Sequence, residues 1–367
     1  MCGIAGYIGI SKNNDLSFEL LSKIFEQNES RGIDASGFWA YNSQNNKVYY
    51  HKEPTRSSIF TKSSIWKNLA NINFNICLTH ARGASKGYGS PEDNINNHPF
   101  VSDDNSIALI HNGKLDDAEY ESLKRKYKIK TECDSEVILR IFECEIKQGL
   151  KYQESRINSF HSIFSVINHG HMAVAIGEIQ NNLSNLWLFR NRHRPLWLVD
   201  LREAIGQIFF FSDPDLWINV LESLDEKAKL FLGKQIFTQI APDQIYHFHL
   251  PENNNLIYDK FDVLRTSQYE PWAYNGPLVN KIYDLNNRLN VEKIVKENVF
   301  HDNDLNVSLD QFSTINKELE TTRKNILEII LKKKMQNGLS FYEVQELNDI
   351  FAKHLNTLKM VETILNT

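Results

Sequence analysis

Apolar positions in residues 1 to about 265 fall into short runs of strand length, broken by polar turns and by two or three stretches of helical period. The pattern predicts strands over Gly3 to Ile8, Phe74 to His80, Ile107 to His111, Met172 to Ile176, Leu186 to Phe189 and Ile208 to Phe211. It predicts helices over Leu16 to Asn28 and over Ser135 to Lys147. In the second of these Val137, Ile138, Ile141 and Phe142 share one face and leave Glu136 and Arg140 outside. Many strands with few helices imply a layered α+β fold.

The last sixty residues change period. Ser308 is followed three residues later by Gln311, and Val307 and Phe312 flank the pair, which is the pattern of a capping box with a hydrophobic staple. A helix should start there, carry Phe312, Ile315, Leu319, Ile326 and Ile330 on one face, and stop at Asn337-Gly338. Ser340 and Glu343, with Leu339 and Val344, repeat the start signal. Val344, Leu347, Phe351, Leu355, Leu358, Val361 and Leu365 then form a second stripe. The expected organisation is a globular domain over 2-265, an Asn- and Asp-rich connector over 266-305 and a helical hairpin over 306-367.

Composition narrows the partners. With 41% hydrophobic and 24% charged residues in 367, the chain can bury a sizeable core, and its net charge of -5 offers no basic surface to nucleic acid or anionic membrane. The short run Lys332, Lys333, Lys334 reads as a solvated helix end. The apolar start MCGIAGYIGI lacks a basic leader and a cleavage site, and no stretch reaches the roughly 18 apolar residues of a membrane helix. Cys2, Cys77, Cys133 and Cys144 have no metal or disulfide spacing, so a cytoplasmic location is expected.

The candidate chemistry sits at the start. In Met1-Cys2-Gly3 the small second residue would let an aminopeptidase remove the methionine, leaving Cys2 with a free α-amine. With a pKa of roughly 7.7 to 8.0, that amine is partly unprotonated near neutral pH and can relay a thiol proton. On its own, a cysteine at position two is equally a packed or idle thiol.

Five segments carry a resemblance. They are CGIAGYIG at Cys2 to Gly9, SRGIDASG at Ser30 to Gly37, THARGASKG at Thr79 to Gly87 with NHPF at Asn97 to Phe100, IHNGKL at Ile110 to Leu115 with CDSEVI at Cys133 to Ile138, and FRNRHRPLWL at Phe189 to Leu198 followed by FFFSDP. In this order and spacing, over roughly the first 220 residues, the chain resembles the class II (purF-type) glutamine amidotransferases. The resemblance implies the four-layer αββα sandwich of N-terminal-nucleophile hydrolases, here with the helical hairpin appended.

It also implies roles. Cys2 is the nucleophile, and the Asn112 amide with the Gly113 N-H forms the oxyanion hole, whose loss typically costs roughly 2.7 to 4 kcal/mol per donor. Arg82 would grip the α-carboxylate of glutamine, for which a planar guanidinium suits better than an ammonium. Asp134 would take the α-ammonium, Ser85 lies in the loop closing over the substrate, and Arg31 sits close to the Cys2 sulfur. Each has a plainer reading: a turn at Asn112-Gly113, a salt bridge at Arg82, a helix cap at Asp134 with Ser135 as its rival, and a structural turn around Arg31. His80 and His98 are packing residues if the α-amine is the base.

Two departures stand out. Many members have Arg-Trp-Ala-Thr-His-Gly where this chain has Arg82-Gly83-Ala84-Ser85-Lys86-Gly87, so the loop loses an aromatic and a histidine. Asn191 replaces the usual Asp after Arg190. No cofactor is required, and no ATP-pyrophosphate loop or phosphosugar signature follows residue 265. The ammonia acceptor is therefore expected on a separate chain, docked partly through the hairpin, which could instead pack on its own core or on a second copy. Two rival functions remain at this level: an amidohydrolase for another amide, and a silent glutamine-binding domain. The joint presence of Cys2, Arg82, Asn112, Gly113 and Asp134 argues against silence.

Overall fold

The computed structural model describes residues 2-146, 152-167, 170-233, 235-251 and 256-262. The expected connector and helical hairpin lie outside the described residues. The strands are β1 (Gly3–Gly9), β2 (Ala35–Asn42), β3 (Lys47–Glu53), β4 (Ile76–Arg82), β5 (Phe100–Val101), β6 (Ile107–Lys114), β7 (His171–Gln180), β8 (Leu183–Arg190), β9 (Trp197–Leu201), β10 (Gln207–Phe211), β11 (Ile236–Gln239), β12 (Gln244–Leu250) and β13 (Ile257–Asp262). They form two sheets, a seven-stranded one in the order β11-β9-β10-β1-β4-β2-β3 and a six-stranded one in the order β13-β12-β8-β7-β6-β5. Every pairing is antiparallel.

Alternation along the strands assigns the layers. In β1, Ile4 and Ile8 point into the core between the sheets, where they meet Trp39, Leu78, Ile110, Ala175 and Phe210. Ala5 and Tyr7 point the other way, into a core shared with Leu20 and Ile24 of helix α1 (Asn14–Gln27) and Trp217 of a later helix, Pro214–Glu222. The second sheet likewise has an outer core. There Leu109 and Trp187 pack against Val137, Ile138 and Phe142 of Ser135–Ile146 and Phe160 of Tyr152–Val166. In chain order after α1, the longer helices are α2 (Asp117–Tyr127), α3 (Ser135–Ile146), α4 (Tyr152–Val166) and α5 (Pro214–Glu222). The layers thus run helix, sheet, sheet, helix, as expected. Full burial of each large apolar side chain stabilises by about 1.5 to 3 kcal/mol, and all seven residues of β1 are buried.

The strands and helices predicted before residue 265 are all present among the described residues, with shifted ends, and several elements were not legible. β2 is buried at all eight positions, so the alternation that marks a half-buried strand is missing from it. α4 buries Ser155, Arg156 and Ser159 on its inner side, where Arg156 forms a buried ion pair with Glu178, and this erases its apolar stripe. Asn112-Gly113 is no turn: β6 continues through both to Lys114.

Candidate active site

Cys2 lies immediately before β1 and is half-buried. Its backbone carbonyl is held by two side chains. The Arg31 Nε donates to the Cys2 carbonyl at 3.1 Å. Asn112, with its amide turned to satisfy both ends, donates from Nδ2 to the same carbonyl at 3.1 Å and accepts from Arg31 Nη2 at 3.2 Å. Arg31 Nη1 is paired with Asp213 at 3.0 Å, and Asp213 caps the start of α5. One guanidinium therefore ties together the candidate nucleophile, the candidate oxyanion donor on the second sheet and the helix behind the first. Ser212 completes the frame, its Oγ accepting from Ile4 N at 2.9 Å and its own N-H donating to Ile4 O at 3.0 Å.

Glycines permit this crowding. A Cβ on Gly3 would lie 2.5 Å from Asn28 Oδ1, one on Gly32 would lie 2.3 Å from the Arg82 backbone, and one on Gly113 would lie 1.7 Å from the His171 carbonyl oxygen. The Asn112 amide has two N-H groups, so the bond to Cys2 leaves one for an incoming carbonyl.

The other half of the site is the end of β4 and the loop beyond it. Arg82 is buried and donates to Asn97 Oδ1 at 2.7 Å and to the carbonyls of Tyr88 and Gly89 at 2.7 and 2.9 Å, closing the loop on itself. Gly83 presents its carbonyl 3.7 Å from the Cys2 sulfur, and Asp34 accepts from Ala84 N at 2.7 Å. Ser85 is exposed on the outer part of this loop. Asp134 precedes α3 without capping it through the bonds it makes: its Oδ2 accepts from Leu115 N at 2.7 Å and so fixes the chain just past Gly113. Burial raises the Cys2 thiol above its ordinary pKa, Arg82 opposes that shift and Asp134 adds to it. The two candidate clamp residues thus both lie within electrostatic reach of the sulfur.

His80 and His98 stack at 3.9 Å, and among the described residues neither hydrogen-bonds to Cys2. The His80 Nε2 bonds to the His111 carbonyl at 3.0 Å, and burial drives its pKa from 6.5 to about 3. Burial lowers His98 and His111 in the same direction. Such rings stay neutral and poorly basic near pH 7. Asn191 accepts from Met172 N at 3.0 Å and donates to Gly170 O, while Arg190 bonds to backbone carbonyls, so Asn191 serves here as a backbone anchor.

Arg194 was not among the residues singled out. Burial and the like charge of Arg31 lower its pKa, Cys2 opposes them, and its buried Nε has no hydrogen-bond partner. The signal was in the string Arg194-Pro195-Leu196, but nothing in the residue order says that its charge comes within electrostatic reach of Cys2.

No protein-family model matches the chain. It is similar to glutamine--fructose-6-phosphate aminotransferase [isomerizing] of Staphylococcus aureus, 31% identical over 196 residues that make up 52% of this chain and 29% of that protein. The same enzyme of Bacillus cereus is 30% identical over 185 residues, 49% of this chain and 28% of its own length. The likeness therefore spans less than a third of these relatives. Among solved structures, the allosteric regulatory enzyme of purine biosynthesis superposes with a TM-score of 0.50 at 17% identity, over 72% of this chain and 49% of that one, a likeness of fold. With the five segments folded into this sandwich around Cys2, the chain carries a domain that is similar in sequence to the matched part of these glutamine-dependent enzymes and has the N-terminal-nucleophile hydrolase sandwich as its fold.

Proposed function

We propose that the protein hydrolyses glutamine to glutamate and ammonia through a thioester on Cys2, after removal of Met1. The observation that carries this reading is the fixed Cys2 backbone, bonded by Arg31 and Asn112 with Arg82 and Asp134 in electrostatic reach of the sulfur. Arg82 and Asp134 select an α-amino acid by its two charges, with Ser85 on the covering loop. The carboxamide carbon then meets the thiol, whose proton passes to the freed α-amine of Cys2. The oxyanion is held by the second N-H of Asn112 and by Gly113. Collapse expels the amide nitrogen as ammonia, carrying that proton, and water cleaves the thioester to glutamate and thiol. A thiol raised by burial needs such a base, and the neutral, buried histidines do not supply one.

The domain is read as 2-265, the connector as 266-305 and the hairpin as 306-367, with the ammonia passed to an acceptor enzyme on a separate chain in the cytoplasm. Among the described residues no helix is long and apolar enough to cross a membrane. The hairpin would serve as the docking arm, or as the contact of a homo-oligomer.

The test is glutamate release from glutamine by protein whose N-terminus begins at Cys2 by mass spectrometry, beside Cys2→Ala. Turnover that falls below detection in the variant, with an unchanged melting temperature, is expected. Glutamine bound without turnover would instead mark a silent domain, and neither binding nor turnover would mean another amide. Recovery of a partner in a pull-down should fall when residues 306-367 are removed.

A further inference from the structure

In the second sheet, β12 and the edge strand β13 are separated from β6, which carries Asn112, by β7 and β8. Along β12, Tyr246 and Phe248 enter the core between the sheets, whereas Ile245 joins the outer, helix-side core. By the two-residue period, His247 and His249 stand on the helix side with Ile245. Asp259 of β13 is directly opposite His247 in the register. The two rings lie 5.0 Å apart, and one ligating atom from each of His247, His249 and Asp259 lies within 4.8 Å of the other two.

The orientation of His247 is set by its neighbours. Asn185 donates from Nδ2 to the Leu183 carbonyl at 3.4 Å, which leaves its Oδ1 as the acceptor 3.0 Å from His247 Nε2. Nε2 therefore carries the proton, and Nδ1 keeps a lone pair. Trp187, parallel to the ring within 3° at 3.6 Å, fixes its plane. That Nδ1 is buried and has no hydrogen-bond partner, and the same is true of His249 Nδ1. Two buried ring nitrogens without hydrogen-bond partners, in a cluster that includes a carboxylate, form an arrangement that a cation satisfies and that packing alone leaves unfavourable.

We propose that His247, His249 and Asp259 form a binding site for a divalent transition metal of the zinc class. Two imidazole nitrogens with one carboxylate suit such an ion, whereas calcium and magnesium take oxygen ligands. Three protein ligands leave a position for water. Asn185 is the outer partner that fixes the tautomer of the first ligand. β13 is an edge strand with a single neighbour, and Ile257 and Tyr258 on it are exposed. A metal bridging His247 and His249 to Asp259 would pin it to β12.

Chelator-stripped full-length protein carrying Cys2→Ala, which removes the competing nucleophile thiol, is titrated with ZnCl2 by calorimetry. One equivalent should bind, and binding should weaken at least about tenfold in His249→Ala and in Asp259→Asn. Asp259→Asn preserves shape, so the comparison survives if the histidine variant folds poorly. Co2+ in place of Zn2+ should give visible bands of nitrogen and oxygen coordination without thiolate charge transfer, and Zn2+ should slow amide exchange in β13. The absence of binding at micromolar Zn2+, or binding that both variants leave unchanged, overturns the site.

Discussion

The backbone around Cys2 and the loop that faces its sulfur are built on different plans. Arg31, Asn112 and Ser212 reach Cys2 and Ile4 from three separate parts of the chain, each through buried or half-buried bonds of 2.9 to 3.1 Å. The loop after β4 is fastened at its ends, by Arg82 to Tyr88 and Gly89 and by Asp34 to Ala84, while Ala84 to Gly87 are exposed. A Cβ on Gly87 would meet nothing within 4 Å. Attack on a carboxamide demands placement of the reacting atoms to a fraction of an ångström, which a network crossing both sheets provides. Admission of a substrate demands opening, and a loop held at its base allows that.

Changes to the rigid half should therefore act on kcat and changes to the loop on KM. The largest effect short of removing Cys2 is expected for Asn112→Ala, which should lower kcat by about 10²- to 10³-fold with KM little altered. A change confined to KM would show that Asn112 only braces the Cys2 backbone. Arg82→Lys comes next, with KM raised roughly tenfold, because an ammonium cannot serve both the loop carbonyls and a carboxylate. If the melting temperature falls while KM holds, Arg82 is a loop anchor and Arg194 becomes the candidate for the carboxylate.

The buried histidines beside the rigid half sharpen the contrast through pH. His80 takes its proton near 6.5 when unfolded and at about 3 when folded, so its contribution to stability is complete above pH 6.5 and drains away as pH falls toward 3. The slope contributed is up to about 1.4 kcal/mol per pH unit for each such group. Urea midpoints measured between neutral and acidic pH should show it, and His80→Gln should flatten it. The smallest effect is expected at the loop's outer edge, where Ser85→Ala should alter KM by no more than about fivefold, as a single neutral hydrogen bond is worth about 1 kcal/mol. A loss of kcat there would mean that the loop also sets the attack geometry.

Legibility followed exposure and local order. β1 and the helix containing Val137 and Ile138 were readable because their neighbours along the chain decide their character. β2 and α4 were not, since one is buried on both faces and the other turns Arg156 inward to meet Glu178, a partner 22 residues away. Cys2, Asn112 and Gly113 could be singled out from short strings and their order. The partner of Arg31 could not, because Asp213 lies 182 residues along the chain.

By itself the sequence determined the residue types that the chemistry needs, the small residues that let them crowd, and the alternation that produces two sheets between helices. These depend on side-chain chemistry and on periods of two and 3.6, which are local properties. Only the tertiary structure decided that Arg31 joins Cys2, Asn112 and Asp213, that Arg194 comes within electrostatic reach of Cys2, and that His247, His249 and Asp259 converge on one edge. Those juxtapositions come from antiparallel register and sheet packing, and register is fixed by the summed burial of whole faces rather than by any residue in the site.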